Sequence, residues 1–315
     1  MGSKRKLAPK ILDYILENNP NCKYFYDLFG GGGAISFEAL QRNQIKQVYY
    51  NELNTGVVEL LKKIQKDGVT SEFYEWIDRE TFHKLKDGND WKAGLVKTCW
   101  SFGNRGVTYI FGKDKEEFKR LLHEVIVNKD LDCLDKFNSL FETDVKIIEI
   151  QGDCVNERRL SLQRILKRFM YNDKIKNTLN IIWDKNPRIG NIAQQIQRLQ
   201  QIERLQQIER LQQLEISNLS YEKVKIETPI EETIIYLDPP YENTEKYQKE
   251  TCHRELVKYI SKSPYKIYIS SYEFNLPEVC IWDLRSGIAG SGKKIVQEKL
   301  FCNREESKFK QFELF

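Results

Sequence analysis

Between residues 23 and 66 strand and helix signals alternate twice, and that alternation limits the fold more than any other feature of the chain. Residues 23–29 are a run of aromatic and apolar side chains that reads as a strand and ends in four glycines, Gly30 to Gly33. Residues 34–42 read as a helix, 47–52 (QVYYNE) as a second strand and 57–66 as a second helix. Successive strands joined through helices pair in parallel, so the expected fold class is α/β with a doubly wound, Rossmann-like sheet. A further helix is expected ahead of it, over residues 7–18.

From about Thr55 to Glu215 the strand signal fades into helix and loop, with Trp76, Trp91, Trp100 and several basic clusters. It returns at residues 215–217, 233–237, 266–270 and 294–301. The expectation is therefore a seven-stranded sheet domain built from residues 1–54 and 216–315, split by a largely helical insertion at 55–215. Inside the insertion lies a Gln-rich hexad repeat, 194–214, with Ile196, Leu199, Ile202, Leu205, Ile208, Leu211 and Leu214 three residues apart. On an α-helix each step of three lags a full turn by about 60°, so this stripe circles the helix. Gln, Glu, Arg and Leu favour helix, and a stacked β-coil is the alternative. The repeat is expected to be a helical spacer or packing element.

A net charge of only +4 means that any surface for a polyanion has to be local. Seven widely spaced cysteines form neither a zinc pattern nor a disulfide framework, which fits a reducing compartment. The first ten residues are charged where a signal peptide is apolar, and no apolar run approaches spanning length, so a cytoplasmic protein is expected.

The strongest chemical signal is Asp238-Pro239-Pro240-Tyr241, directly after the apolar run 234–237. A given tetrapeptide occurs by chance in on the order of one per several hundred chains of this length, and the strand before it narrows the odds further. A di-proline turn that merely ends a strand would need neither the Asp nor the Tyr. Chemistry on an exocyclic amino group explains all four residues. The nitrogen lone pair of such a group is delocalised into the base, and accepting hydrogen bonds from the NH₂ draws it out of conjugation. Asp238 offers a carboxylate acceptor, Pro239 a carbonyl held by the stiff Pro-Pro backbone, and Tyr241 a ring to stack on a base taken out of the duplex.

The second signal is Asp27-Leu28-Phe29-Gly30-Gly31-Gly32-Gly33, a strand end running into a glycine loop and then a helix. Such a loop lets backbone approach a nucleotide-like cofactor closely. It lacks the Lys-Ser/Thr of a phosphate-cradling loop and the dinucleotide spacing, which suits a cofactor without phosphates. Glu52, ending the next strand, is placed to accept hydrogen bonds from ribose hydroxyls.

Together these segments resemble the DNA adenine methyltransferases of the Dam type, the D12 class, phage-borne members included. The glycine loop, long insertion and catalytic tetrapeptide stand in that family's order. The resemblance covers residues 2–66 and 215–315 well and the middle thinly. It implies that Asp27, Phe29, Gly30, Gly31, Gly32 and Glu52 hold S-adenosylmethionine, with Asp238 at the junction of cofactor and target base. Gly2-Ser3-Lys4 is similar to the family's opening motif, whose lysine lies at the cofactor. Ser220 falls where many relatives carry an acid near the cofactor's adenine.

Residues 100–113 (WSFGNRGVTYIFGK) resemble the family's DNA-contacting stretch, which implies base-reading, stacking and phosphate-binding roles for Asn104, Arg105, Tyr109 and Lys113. The implied partner is double-stranded DNA, the insertion becomes a target-recognition domain, and a monomer or weak dimer is expected. His83, His123 and His253 are too scattered for a metal site, and methyl transfer needs none. The glycine-lysine run 287–294 nearly spells a phosphate loop, but lacks its hydroxyl residue and its strand-to-helix setting. Rival readings are methylation of cytosine N4, where Ser more often replaces this Asp, RNA adenine methylation, where Asn does, and a catalytically silent DNA-binding relative.

Overall fold

A computed structural model describes residues 4–102, 106–178, 181–182, 188–189, 192–239, 253–286, 294–304 and 310–314. The chain falls into two compact units, one of Gly2–Val58 with Ile208–Phe315 and one of Glu59–Gln207.

The first unit is built on a single sheet. Its strands in chain order are β1 (Tyr24–Asp27), β2 (Gln47–Asn51), β3 (Leu214–Ser217), β4 (Thr233–Leu237), β5 (Lys266–Ser271), β6 (Glu278–Ser286), β7 (Lys294–Cys302) and β8 (Lys310–Leu314). They lie side by side as β8-β6-β7-β5-β4-β1-β2-β3, all pairs parallel except those made by β7, which runs antiparallel between β5 and β6. The sheet thus has eight described strands where seven were expected. β6 and β8 fall in the stretch where no strand was read from the sequence.

β4 is buried along its whole length and β1 at three of its four positions. Strands covered on both faces carry near-continuous apolar runs, which is why these two were legible. Helix α1 (Ala8–Glu17) turns Ile11, Leu12, Ile15 and Leu16 inward as one stripe, starts with a proline in its first turn, and is closed by Asn18 and Asn19 amides donating to the carbonyls of Tyr14 and Ile15. Helix α2 (Ala34–Leu40) follows the glycine loop.

The strand order fixes where a ligand can bind. From β1 the chain proceeds outward through β2 and β3, then returns to β4 on the other flank of β1 and proceeds the opposite way. Between β1 and β4 the crossovers diverge, leaving a crevice at the carboxyl ends of those strands. Asp27 ends β1 and Asp238 follows β4 directly.

Helix α3 (Thr55–Asp67) begins in the first unit and ends in the second, which is mostly helical, with α4 (Arg79–Leu85), α5 (Trp91–Cys99), α6 (Glu116–Asn128), α7 (Leu131–Phe141), α8 (Val155–Ile165), α9 (Asp173–Thr178) and α10 (Gln194–Gln206). Asp78, Asp90 and Asp130 each accept from the backbone N–H three residues on, capping α4, α5 and α7. Phe118, Leu121, Leu122, Phe137, Leu162 and Ile196 belong to its core. The boundaries lie inward of the expected 55 and 215. Residues from Ile208 onward belong with the sheet because β3 pairs with β2 and because the Arg210 guanidinium donates to the carbonyls of Leu40, Arg42, Ile45 and Lys46.

The hexad repeat forms a helix for its first two copies only. Ile196, Leu199 and Ile202 are buried, and Leu205, a further step around the cylinder, is half-buried. The helix ends at Gln206, and the next copy becomes a turn and a 3-10 turn, Leu211–Gln213, leading into β3. Identical hexads therefore take different conformations, as the drifting stripe requires: once it has left the packed face, continuing the helix buries nothing more.

Candidate active site

At the mouth of the crevice the glycine loop is locked from below. The Tyr50 hydroxyl donates to the Gly31 carbonyl at 2.7 Å, and a Cβ on Gly30 would lie 2.1 Å from the Tyr50 ring. Gly31 and Gly33 have φ of 50° and 73°, which glycine adopts without the Cβ penalty. Gly32 differs, because a Cβ there would meet nothing within 4 Å, so the protein itself does not require a glycine at that place.

Glu52 fastens the loop from the side. Its carboxylate accepts from the Gly31 N–H at 2.8 Å through one oxygen and from the Asn54 N–H at 2.8 Å through the other. Each oxygen retains a second lone pair for a further donor. Asn51, buried beside it, donates to the carbonyls of Leu28 and Leu219 and accepts from the Leu219 N–H and the Ser217 hydroxyl, tying together the ends of β1, β2 and β3.

Asp27 is buried, accepts from the Ser36 hydroxyl at 2.7 Å through Oδ2, and has no hydrogen-bond partner at Oδ1. Burial pushes its carboxyl up to about 7, with the charges of Asp238 and Glu52 adding to the rise and the Ser36 hydrogen bond opposing it. Asp238 keeps 23 % of its side chain exposed, so its carboxylate opens to the crevice. Its carboxyl is pushed up to about 6, chiefly by burial and further by Glu298, against the pull of Lys4. The Lys4 ammonium stands 3.2 Å from Asp238 Oδ1 and 2.7 Å from Glu298 Oε1. Tyr236, the strand partner of Asp27, is buried with its hydroxyl on Ser270.

Lys4, Asp27, Gly30, Gly31, Gly32, Glu52 and Asp238 therefore converge on the carboxyl edge of the sheet. Phe29 is half-buried with its ring 5.2 Å from that of Tyr221, and Ser220, also half-buried, starts the short turn Tyr221–Lys223. Pro239 is half-buried; Pro240 and Tyr241 lie outside the described residues.

In the unit of Glu59–Gln207, Asn104 and Arg105 also lie outside the described residues, and Lys113 is exposed. Tyr109 departs from expectation. It is 2 % exposed, donates its hydroxyl to the Ile77 carbonyl at 2.7 Å, and packs among Phe82, Trp100 and Phe111. A ring so enclosed supports the loop from inside and has no face to offer a base. The expected stacking role is corrected accordingly.

Reading the sequence missed Ser36, Tyr50, Asn51 and Glu298. Glu298 left only a faint trace: residues 294–302 do not alternate cleanly, and the acid merely stands two and four positions before the buried Leu300 and Cys302. Among the described residues no cluster of His, Cys, Asp and Glu gathers as a metal site would require, and no helix is long and apolar enough to cross a membrane.

A family model for D12 class N6 adenine-specific DNA methyltransferases matches residues 1–267. A search of the curated proteins found no match.

Proposed function

We propose that in this chain, which belongs to the D12 class of N6 adenine-specific DNA methyltransferases, Asp238 and the Pro239 carbonyl grip the target N6 amino group beside S-adenosylmethionine seated on the glycine loop. The carrying observation is a partly open carboxylate, Asp238, directly after β4 and across the strand-order switch from the glycine loop. The chain's own residues suit that methyl donor. Gly32 has free space above its Cα, Asp27 has an unpaired buried oxygen, and Asp27, Asp238 and Glu52 make an acidic wall for a cationic sulfonium.

When bound, the donor supplies an electrophilic methyl carbon, and displacement there needs no covalent link to the protein. Asp238 accepts from one N6–H and the Pro239 carbonyl from the other, which localises the nitrogen lone pair. As N6 gains the methyl group it must shed a proton, and a carboxylate with raised proton affinity receives it better than an ordinary Asp. Glu52 holds the loop and takes a ribose hydroxyl with its remaining lone pairs. Tyr241 stacks on the extruded adenine, as enzymes acting on a base require. Phe29 and Ser220 border the cofactor's adenine. Asn104, Arg105 and Lys113, in the helical target-recognition unit, contact duplex DNA. The protein works as a monomer or weak dimer in the cytoplasm, where its DNA is.

Tritiated S-adenosylmethionine and duplex DNA test this directly. Asp238→Ala is expected to lower transfer by about a thousandfold while leaving the melting temperature near that of the parent. Full activity of that variant would end the mechanism, and digestion of the product to nucleosides shows which base carries the label.

A further inference from the structure

Lys4 and Glu298 are 294 positions apart in sequence, yet they form a buried ion pair at the carboxyl edge of the sheet. Glu298 is 3 % exposed, stands on the antiparallel strand β7, and lies beyond residues 1–267, which the family model covers. An isolated carboxylate at that depth would be costly, so its partner matters. That partner is the same ammonium that reaches Asp238, and it lies nearer to Glu298 (2.7 Å) than to Asp238 (3.2 Å).

The geometry points to Glu298 as a positioning residue that anchors Lys4 and takes up most of its charge, leaving Asp238 free to accept from the target amino group. The inference rests on the role proposed above for Asp238. An ammonium shared between two carboxylates competes weakly for either. Without Glu298 a larger share of the Lys4 charge would fall on Asp238 and engage the oxygen the substrate needs. The antiparallel run of β7 makes this possible: its later residues pair with β5, so its earlier ones project towards the edge where β4 and β5 end. Among the described residues, the charged and titratable groups acting on Asp238 and its surroundings include Lys4 from the amino-terminal turn, Glu298 from β7, Asp27 from β1 and Tyr236 from β4.

The test is methyl transfer by the full chain from tritiated S-adenosylmethionine to duplex DNA, followed between about pH 5 and pH 9. Glu298→Gln is expected to lower kcat by about a hundredfold, with KM for DNA nearly unchanged. Its acid limb should move to lower pH, because Asp238 loses a neighbouring negative charge and gains the lysine. A purely structural role for Glu298 would leave the limb where it is.

Lys4→Met combined with Glu298→Gln removes both charges of the buried pair and avoids an uncompensated one. In it the limb should move to higher pH, since Asp238 then lacks its cation, and kcat should equal that of Lys4→Met alone. Parental kcat with an unmoved limb in Glu298→Gln, or a further loss when Glu298→Gln is added to Lys4→Met, overturns the inference. Should Asp238→Asn transfer at the parental rate, the proposed role of Asp238 fails, which is a different result from either.

Discussion

The two units bury charge in opposite ways. In the unit of Glu59–Gln207, several cationic and polar groups end on backbone carbonyls: the buried Lys119 donates to Ile192, the half-buried Arg198 to Ser101 and Cys99, and the buried His123 ring to Tyr74, with Gln195 at its other nitrogen. Those carbonyls cannot titrate, so each of these contacts holds only one ionisable group and serves to fix the packing. At the carboxyl edge of the sheet the buried groups face one another instead. Lys4 lies between Asp238 and Glu298, and Asp27 has an oxygen with no partner. Such a cluster contributes little to stability and much to chemistry, because protonation or a ligand changes its balance.

Two neighbouring glycines give the largest expected contrast. Gly30→Ala drives a methyl group into the buried Tyr50 ring and should destabilise the sheet unit by about 1–3 kcal/mol, read as a lower melting temperature together with lost transfer. Gly32→Ala meets nothing in the protein, so melting should stay in place while S-adenosylmethionine affinity, measured calorimetrically, falls at least about tenfold. Equal cofactor affinity in Gly32→Ala and the parent would place the donor elsewhere.

A charge anchored on carbonyls should behave differently from one in the cluster. Arg198→Met strips donors from the carbonyls at the end of α5 and is expected to cost about 1–3 kcal/mol in denaturant unfolding, with kcat per folded molecule unchanged. A kcat loss larger than the loss of folded protein would show that this unit tunes the chemistry as well.

Asp27 sharpens the comparison through pH. Its folded carboxyl sits at about 7 against an ordinary value of 3.8, so its contribution is fully favourable below the unfolded value and is lost as pH rises through about 7. Asp27→Asn should therefore melt higher than the parent above neutrality and lose that advantage towards pH 4. A constant difference across the range would mean that Asp27 is not held in the protonation balance described.

What the sequence revealed and what it hid follow from how far each signal reaches. β1, β2 and β4 were legible because strands buried deep in a parallel sheet are apolar runs, and Asp27 and Asp238 because each sits in a local motif. β6 was missed although residues 279–282 are a buried apolar run: the run is short, Asp283 and Arg285 follow it, and the register slips between Glu278 and Cys280. Glu298 had meaning only through Lys4 at the far end of the chain. Tyr109 was misread because a motif gives residue type and not depth. The repeat was expected to be helical throughout 194–214 and is so for two copies only; its fate afterwards was set by β2, which recruits Leu214–Ser217 as a strand.

The pH dependence of methyl transfer by the unaltered chain tests the central claim most directly. The account predicts a rate that rises with pH through about 6, as Asp238 loses its proton and becomes an acceptor, and that levels off above. A rate already at its plateau at pH 4.5 to 5, roughly where an ordinary carboxyl is ionised, would contradict it.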